Sequence, residues 1–208
     1  MNKSWDLYKQ YGLGFIPRIL KSVIRRFGFL RETLLYFEKD LNSEDIEKRL
    51  SKYNYSDVKV LSFKDFDNCN YLDENKKALY KKRLESGDYT VFGIFKDQQL
   101  VYYSWISFKD LGLPFGFNTD VSLSKDEALL EDSFCHPNYR GNGYHAKVNV
   151  LRLKTILQRG KKKAVVQVLN GNTPAIKVQQ KSGFKLKKKL ILTKIGSKTN
   201  IKTVSVND

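Results

Sequence analysis

The sequence predicts a single α/β domain, in which helices flank a β-sheet. Strand-like and helix-like stretches alternate along the chain, and 208 residues suffice for a substantial core. Hydrophobic residues make up 41% of the chain and aromatic residues 13%, which indicates a globular protein rather than a disordered one. A strand, a glycine turn and a long helix follow one another over residues 128–157, and this is the strongest local pattern in the chain.

The N-terminal segment contains a predicted basic amphipathic helix at residues 15–27, with Pro17 in its first turn. Such a helix can lie on an anionic membrane surface, pack on the domain or contact a second subunit. The sequence does not distinguish these alternatives. We expect residues 1–57 to form an extension that packs on a core of residues 58–208, within one compact domain.

The remaining elements follow from alternating or helical hydrophobic patterns. The predicted strands are residues 30–38, 58–63, 89–95, 100–108, 164–169, 185–194 and 201–206. The predicted helices are residues 43–52, 74–86 and 174–181, together with a long helix that begins near Tyr144 and ends at Lys161-Lys162-Lys163. Ser43 is the expected cap of the first helix, and Ala78, Leu79 and Leu84 of the second are expected to face the core. Residues 109–120 form a loop that either covers a substrate or packs as an ordinary turn.

The turn before the long helix has the features of a phosphate site. Apolar residues 128–130 lead towards it, Gly141 and Gly143 let the backbone approach a ligand, and the helix begins near Tyr144. Free N–H groups and the helix dipole attract an anion at such a helix start. An ordinary glycine turn is the alternative.

A family resemblance favours the phosphate site. Arg140-Gly141-Asn142-Gly143 resembles the Arg/Gln-x-x-Gly-x-Gly/Ala turn with which the GNAT superfamily of N-acyltransferases binds the pyrophosphate of coenzyme A. Asn172-Thr173-Pro174-Ala175 with Lys181-Ser182-Gly183-Phe184 resembles the Asn-x-x-Ala/Ser…Lys-x-Gly-Phe segment of the same family. The resemblance covers roughly residues 58 to 195.

The resemblance implies a fold, a cosubstrate and a set of binding residues. The fold is a central mixed, mostly antiparallel sheet flanked by helices, here with an extra N-terminal segment. Two neighbouring strands separate, so that acetyl-CoA or another short acyl-CoA enters the gap from one side and an amine from the other, and no metal is implied. The expected coenzyme A contacts are Phe134, Cys135, Arg140, Gly141, Asn142, Gly143, Tyr144, His145, Asn172 and Lys181.

The catalytic residues are expected on the strand before the turn. Transfer is direct in this family, so the protein must supply a base for the amine, donors for the oxyanion and a proton for the thiolate. Asp132 is the predicted base or acceptor-binding acid, and Glu131 is the reserve candidate. Strand alternation places Asp132 on the face of Phe134 and His136, and Glu131 on the opposite face. Ordering of a neighbouring loop is the alternative role of Asp132.

Other acid–base groups are also candidates. His136 and His145, the two histidines of the chain, lie in this segment, and imidazole titrates near neutrality. His-Pro is often structural, however, and His145 stands where the family has Gly or Ala. Gln179 stands where many members have the tyrosine that protonates the thiolate. Tyr144 or a water would replace that tyrosine, or no acid is needed, because a thiol leaving group has a pKa of ~8.5.

The acceptor is expected to be an amino sugar carried on a nucleotide. The basic N-terminus and the strand around Tyr103 resemble GNAT-like enzymes of bacterial surface-polysaccharide synthesis, including that of lipopolysaccharide O-antigen, which acylate such sugars. Trp105, Tyr103 and Phe115 are predicted to stack on the base or sugar, with a core role as the alternative. The other candidate functions are acylation of an antibiotic, an amino acid or a protein, and non-catalytic binding of acyl-CoA or an anionic surface.

The formal net charge of +16 favours anionic partners. The lysines are scattered rather than gathered on one recognition helix, which disfavours nucleic acid. Cys69 and Cys135 have no metal-like spacing, and the chain shows no signal peptide. We therefore expect a cytoplasmic protein. It would be peripheral at the inner membrane face if the amphipathic helix binds there, and a homodimer if that helix meets a second subunit.

Overall fold

The computed structural model describes residues 29–67, 69, 71–114, 116, 117, 119 and 121–206. Within these ranges the chain forms one eight-stranded sheet with helices on both faces. The strands are β1 (Phe29–Asp40), β2 (Val58–Val60), β3 (Tyr89–Lys96), β4 (Gln99–Ser107), β5 (Glu127–Cys135), β6 (Lys163–Leu169), β7 (Lys185–Ile195) and β8 (Lys198–Ser205). The helices are α1 (Ser43–Leu50), α2 (Glu74–Ser86), α3 (Tyr144–Gln158) and α4 (Thr173–Lys181). The mixed α/β fold is confirmed, whereas the amphipathic segment 15–27 lies outside the described residues.

The strands lie in the order β2-β3-β4-β5-β6-β1-β7-β8. Strands β5 and β6 run parallel, and the six other neighbouring pairs of the described sheet are antiparallel. A parallel pair requires a long crossover connection, and α3 lies in that connection. The sheet is therefore mixed and mostly antiparallel, as expected.

Strand β1 lies inside the sheet, between β6 and β7. Its residues Leu35 and Phe37 are buried in the same core cluster as Val166 of β6. The described end of the N-terminal segment thus shares its hydrogen bonds with the strands of the 58–208 region. The division into an extension and a core stays a prediction.

The two faces of the sheet have different cores. Helix α2 covers one face with an aromatic cluster that includes Tyr80 and Trp105. Helices α1 and α3 cover the other face, mainly with aliphatic residues such as Ile46 and Leu153. No helix within the described ranges is long and apolar enough to cross a membrane.

The loop between β4 and β5 packs on the sheet. Leu111 and Phe117 are each 6% exposed and share a core cluster with Tyr36 and Leu190. Of the two roles predicted for this loop, packing therefore accounts for these two apolar side chains.

Local capping chemistry explains where the helices begin and end. Asn42, rather than the expected Ser43, caps α1 by accepting a hydrogen bond from the Asp45 N–H at 3.0 Å. Asp73 caps the start of α2, and Gly87 with φ +72° follows its last residue as the C-cap. The strand predicted at residues 58–63 ends earlier, at Val60, and a 3₁₀ turn at Phe63–Phe66 follows it.

Helix α2 turns a charged face towards the sheet. The expected inward residues Ala78 and Leu79 are exposed, and Tyr80 is fully buried instead. Arg83 also faces inward, with its side chain 13% exposed. The sheet face beneath this helix carries carboxylates, which pair with the basic side chains of α2.

Trp105→Ala is expected to lower the free energy of unfolding by about 3–5 kcal/mol. Trp105 is fully buried, with its ring 4.7 Å from that of Tyr80 and 6.0 Å from that of Phe66, so truncation leaves a cavity. Urea denaturation measures the effect. Tyr53→Ala, at an aromatic position that is 39% exposed, is the control and should change stability by less than about 1 kcal/mol.

Candidate active site between strands β5 and β6

Strands β5 and β6 are paired only at their beginnings. Residues 127–129 of β5 pair with residues 163–165 of β6, although the strands continue to Cys135 and Leu169. The strands therefore separate and leave a gap in the middle of the sheet.

A cavity of about 210 Å³ lies at this gap. It is lined by residues 130–133 of β5, Val166 and Gln167 of β6, His145, Asn149 and Arg152 of α3, and Gln179 of α4. Polar side chains dominate this lining. A small polar group could therefore enter from the α3 side of the sheet.

A β-bulge interrupts β5 beside the gap. Strands β4 and β5 pair on both sides of Ser104, but two residues of β5, Asp132 and Ser133, stand opposite it. Asp132 adopts φ +44°, in the left-handed region that few residues other than glycine occupy. Bulges and strained backbone are frequent at functional sites, where they redirect side chains.

The bulge turns two neighbouring carboxylates towards α2. Arg83 Nη2 lies 3.2 Å from Glu131 Oε1, and Arg83 Nη1 lies 3.3 Å from Asp132 Oδ2. Strict alternation would have placed these side chains on opposite faces, so the predicted face of Glu131 is wrong, whereas its role as reserve candidate stays a prediction. The structure instead assembles an acidic pair around one guanidinium group.

Asp132 is held by three side chains of one helix. The Tyr80 hydroxyl donates to Oδ2 at 2.9 Å, and Lys76 Nζ lies 3.4 Å from Oδ1. Arg83 completes the set. The carboxylate remains 25% exposed, so its orientation is fixed while one side stays accessible.

Glu131 is the more buried member of the pair. Its side chain is 13% exposed, and a methyl group added to Gly112 in the β4–β5 loop would overlap Oε2. Burial raises the pKa of Glu131 to about 7, against the lowering effect of Arg83 and together with the charge of Asp132. A carboxyl group with this pKa can take up a proton near neutral pH, as a general base does.

The glycine turn leads into α3 with open space around its backbone. Gly141 and Gly143 have φ +86° and +72°, and a Cβ added to either would meet nothing within 4 Å. No side chain of the described residues caps the start of α3 at Tyr144. Its first N–H groups are therefore free to bind an anion.

Two polar side chains shape this turn from within. Asn142 Nδ2 donates to the Tyr139 carbonyl at 2.9 Å, and Arg140 Nε donates to the Cys135 carbonyl at 3.4 Å. Arg140 stays exposed, so its remaining N–H groups can reach a ligand. The turn thus has the room, the donors and the charge that a pyrophosphate requires.

Solved structures share this arrangement of sheet and helices. A protein from Novosphingobium aromaticivorans assigned to the GNAT acetyltransferase family superposes with a TM-score of 0.57 at 15% identity, over 82% of this chain and 67% of that one. A GCN5-related N-acetyltransferase-like protein from Streptococcus suis gives a TM-score of 0.54 at 17% identity, over 93% of this chain and 68% of that one. The tandem GNAT protein of the clavulanic acid biosynthesis pathway gives 0.54 at 12% identity, over 92% of this chain and 59% of that one.

The fold is that of the GNAT acetyltransferases. No family model matches the sequence, and no curated protein matches it. The superpositions, with TM-scores of 0.54 to 0.57 at identities of 12% to 17%, show the GNAT fold alone.

One expected coenzyme A contact, His145, lies at the gap of this GNAT fold, and so does Gln179, which stands at the position of the family's tyrosine. His145 and Gln179 line its cavity. His145 Nδ1 lies 3.0 Å from the Tyr102 hydroxyl. Desolvation and the charge of Arg152 lower the pKa of His145, although the residue as a whole is exposed. The ring is therefore neutral at neutral pH and adds no positive charge to the turn.

Tyr144 and His136 have packing contacts. The Tyr144 ring is half-buried, 6.3 Å from that of Tyr102. The His136 ring packs 5.7 Å from that of Tyr139 and 6.5 Å from that of Tyr71. These contacts give His136 a structural role beside the turn, and its catalytic role stays a prediction.

The C-terminal part of the motif contains a helix cap. Asn172 Oδ1 accepts a hydrogen bond from the Ala175 N–H at 3.3 Å, which explains its place before α4. Lys181 is exposed in the last turn of that helix. Contacts of either residue with coenzyme A stay predictions.

Several residues that were predicted to contact a ligand are buried or packed against other side chains. Trp105 and Tyr103 are fully buried, so neither can stack on a sugar in this structure. Phe134 stacks on Tyr103, with the ring centres 5.4 Å apart. Cys135 is half-buried, and burial raises the pKa of its thiol. Phe115 lies outside the described residues.

Three residues at the site were not predicted from the sequence patterns. Tyr80 and Arg83 reach the acidic pair from α2, where only apolar residues were expected to face inward. Arg152 of α3 is 1% exposed in the core beside the gap. A basic residue within the apolar stripe of α3 was the available signal, since buried arginines need special partners.

Proposed function

We propose that the protein is an N-acyltransferase that moves an acetyl or short hydroxyacyl group from coenzyme A to the amine of a nucleotide-linked amino sugar. The observation that carries this proposal is the bulge of β5. It places a carboxyl group with a pKa of about 7 next to the gap between β5 and β6. The open glycine turn follows the same strand, after a 3₁₀ turn at Pro137–Tyr139.

The residues around the gap fit coenzyme A. The free N–H groups at the start of α3 and the Arg140 guanidinium would hold the pyrophosphate. Gly141 and Gly143 leave the approach open. The bound thioester supplies an activated acyl group, which the gap would direct towards β5.

The acidic pair would divide the work on the acceptor. Asp132, the more exposed acid, binds the amine and orients it. Glu131 takes the proton that the amine loses, directly or over one water. As the nitrogen attacks the thioester carbonyl, the C–N bond forms and the C–S bond breaks without a covalent enzyme intermediate.

Backbone N–H groups near Phe134 and Cys135 would stabilise the developing oxyanion. The departing thiolate takes its proton from water, because Gln179 has no acidic proton to give. A thiol with a pKa of ~8.5 needs little help at neutral pH.

The charge around Asp132 supports an anionic acceptor. Helix α2 carries five basic residues, Lys76, Lys77, Lys81, Lys82 and Arg83, of which Lys76 and Arg83 contact Asp132. These charges suit the diphosphate of a nucleotide sugar. Tyr71 and Phe134, stacked at 4.6 Å and both half-buried, are aromatic rings available on this side.

A mass-spectrometric transfer assay tests the proposal. Acetyl-CoA and 3-hydroxybutyryl-CoA are each offered with a panel of UDP- and dTDP-linked amino sugars. We expect a mass gain of one acyl group on one of these sugars. A mass gain of one acyl group on an antibiotic, amino acid or peptide in a parallel panel would show that the proposed acceptor class is wrong and that the proposed reaction is right.

A non-catalytic acyl-CoA-binding domain is the second candidate, since Gln179 stands where many GNAT members have the tyrosine that protonates the thiolate. Bound coenzyme A without any acyl transfer across both panels would favour it. Absence of both binding and transfer would contradict the two candidates together.

A further inference from the structure

The cavity between β5 and β6 has a buried positive charge in its wall. Arg152 is 1% exposed, and its Nη2 donates to the backbone carbonyls of Trp105 and Glu131, the latter at 3.4 Å. The Glu131 carboxylate pairs with Arg83 instead. Burial lowers the pKa of Arg152 to about 10, so the guanidinium is still charged at neutral pH.

Backbone carbonyls and the nearby charge of Glu131 compensate this charge only in part, since burial still lowers the pKa of Arg152. A buried cation without a bonded carboxylate is costly, because the desolvation of the charge is not repaid by an ion pair. Within the described residues, the hydrogen bonds of Arg152 are those to the two carbonyls. The cavity wall therefore favours an oxygen-rich or anionic occupant.

Three buried polar atoms of the same wall have neither a hydrogen bond nor an ion pair within the described part of the chain, and a fourth, Glu131 Oε1, makes no hydrogen bond but is paired with Arg83. The three are Arg152 Nε, Asn149 Oδ1 and Gln167 Nε2. All three residues line the one cavity. Unsatisfied buried polar atoms are rare in native proteins, and each is destabilising. Three of them around one cavity indicate that their partner comes from outside the chain.

We propose that this cavity binds the acyl group of the cosubstrate and selects a short chain that carries a hydroxyl or carboxylate oxygen. Arg152 and Gln167 donate to that oxygen, and Asn149 accepts from a hydroxyl or turns its amide to donate. This inference rests on the proposed acyl-CoA-dependent function. The volume of about 210 Å³ limits the chain to a short one.

An apolar acyl group would fill the same space without forming hydrogen bonds to the unpartnered polar atoms of the wall. Sites built around buried hydrogen-bonding groups discriminate strongly against analogues that lack the matching group, because the protein groups are then left unpaired. Oxygenated chains should therefore be preferred over hydrocarbon chains of equal length. The preference resides in Arg152, Asn149 and Gln167.

Three acyl-CoA molecules with four-carbon acyl groups provide the test: butyryl-CoA, 3-hydroxybutyryl-CoA and succinyl-CoA. Calorimetric titration without acceptor measures their affinities, with free coenzyme A as reference. We expect at least one oxygenated chain to bind about tenfold or more tightly than butyryl-CoA. The two oxygenated arms show whether the favoured oxygen is a hydroxyl or a carboxylate.

Two outcomes separate this inference from the proposed function. If coenzyme A binds and all three acyl-CoA molecules bind equally, the polar selection is wrong while the proposed function stands. If neither coenzyme A nor any acyl-CoA binds, the proposed function fails and the inference falls with it.

Single substitutions assign the preference to the wall. In Gln167→Leu, the affinity for the oxygenated acyl-CoA relative to that for butyryl-CoA should fall several-fold. The affinity for free coenzyme A should be unchanged. Gln180→Leu, on the exposed side of α4, is the matched control and should keep the full ratio. Asn149→Leu repeats the test at a second position. If the relative affinity is unaltered in both Gln167→Leu and Asn149→Leu, the assignment of the preference to this wall is wrong. The test does not require a substitution of Arg152, which is buried in the core.

Discussion

Gly143→Trp is expected to abolish coenzyme A binding while the protein remains folded. The backbone at Gly143 has φ +72°, and the space where a side chain would begin is open. An indole at this position would fill the approach to the first N–H groups of α3. We expect affinity to fall by at least about 100-fold, or ~2.7 kcal/mol, in a calorimetric titration.

Backbone strain has to be separated from this steric block. Gly160, at the opposite end of α3, has φ +74° and equally open surroundings. Gly160→Trp therefore introduces a similar strain far from the turn, and it should bind coenzyme A normally. Equal losses in the two variants would attribute the effect to strain. Normal binding by Gly143→Trp would show that the turn does not hold the pyrophosphate.

Glu131→Gln is expected to slow acyl transfer by about 10²–10⁴-fold and to leave coenzyme A binding intact. Only the ionised form of Glu131 accepts a proton. Because its pKa is raised to about 7, the wild-type rate should increase as pH rises through 7 and then level off. This rise of the rate near pH 7, one limb of the pH–rate profile, should disappear in Glu131→Gln. Any rise that comes from deprotonation of the amine substrate should be the same in both proteins. A limb near pH 7 that persists in the variant would exclude Glu131 as the base.

Asp132→Asn distinguishes the two acids. Its amide keeps the shape of the side chain but removes a negative charge that raises the pKa of Glu131. The limb in the pH profile should therefore move to lower pH, together with slower transfer and weaker acceptor binding. Unchanged turnover in Asp132→Asn would remove this residue from the mechanism.

The sequence was most informative where the pattern is local. The glycines at 141 and 143 and the helical period that starts at Tyr144 predict the turn and α3, because both depend on neighbouring residues. Strands β3 and β4 were likewise predictable, because two β-branched, aromatic runs are separated by a short polar connection.

Long-range pairing could not be derived in the same way. The bulge at Asp132 arises from the register of β5 against β4, and alternation along β5 alone therefore misplaced Glu131. Nor does any local pattern show that β1 lies between β6 and β7. An extended segment is recognisable in sequence, whereas its partners are not.

Charged residues that face inward were the other source of error. Helix α2 directs Tyr80 and Arg83 towards the sheet because they bind the carboxylates of Glu131 and Asp132 there. A hydrophobic pattern cannot anticipate such pairing, since it depends on the opposing surface. Arg152 escaped for the same reason, because its partners are backbone carbonyls of distant strands.

A crystal structure of the complex with coenzyme A tests the central claim most directly. We expect the pyrophosphate to contact the N–H groups between Gly141 and His145. The thiol should lie in the gap between β5 and β6, facing the bulge at Asp132. Coenzyme A bound at another surface, with this gap left empty, would contradict the proposed acyltransferase site.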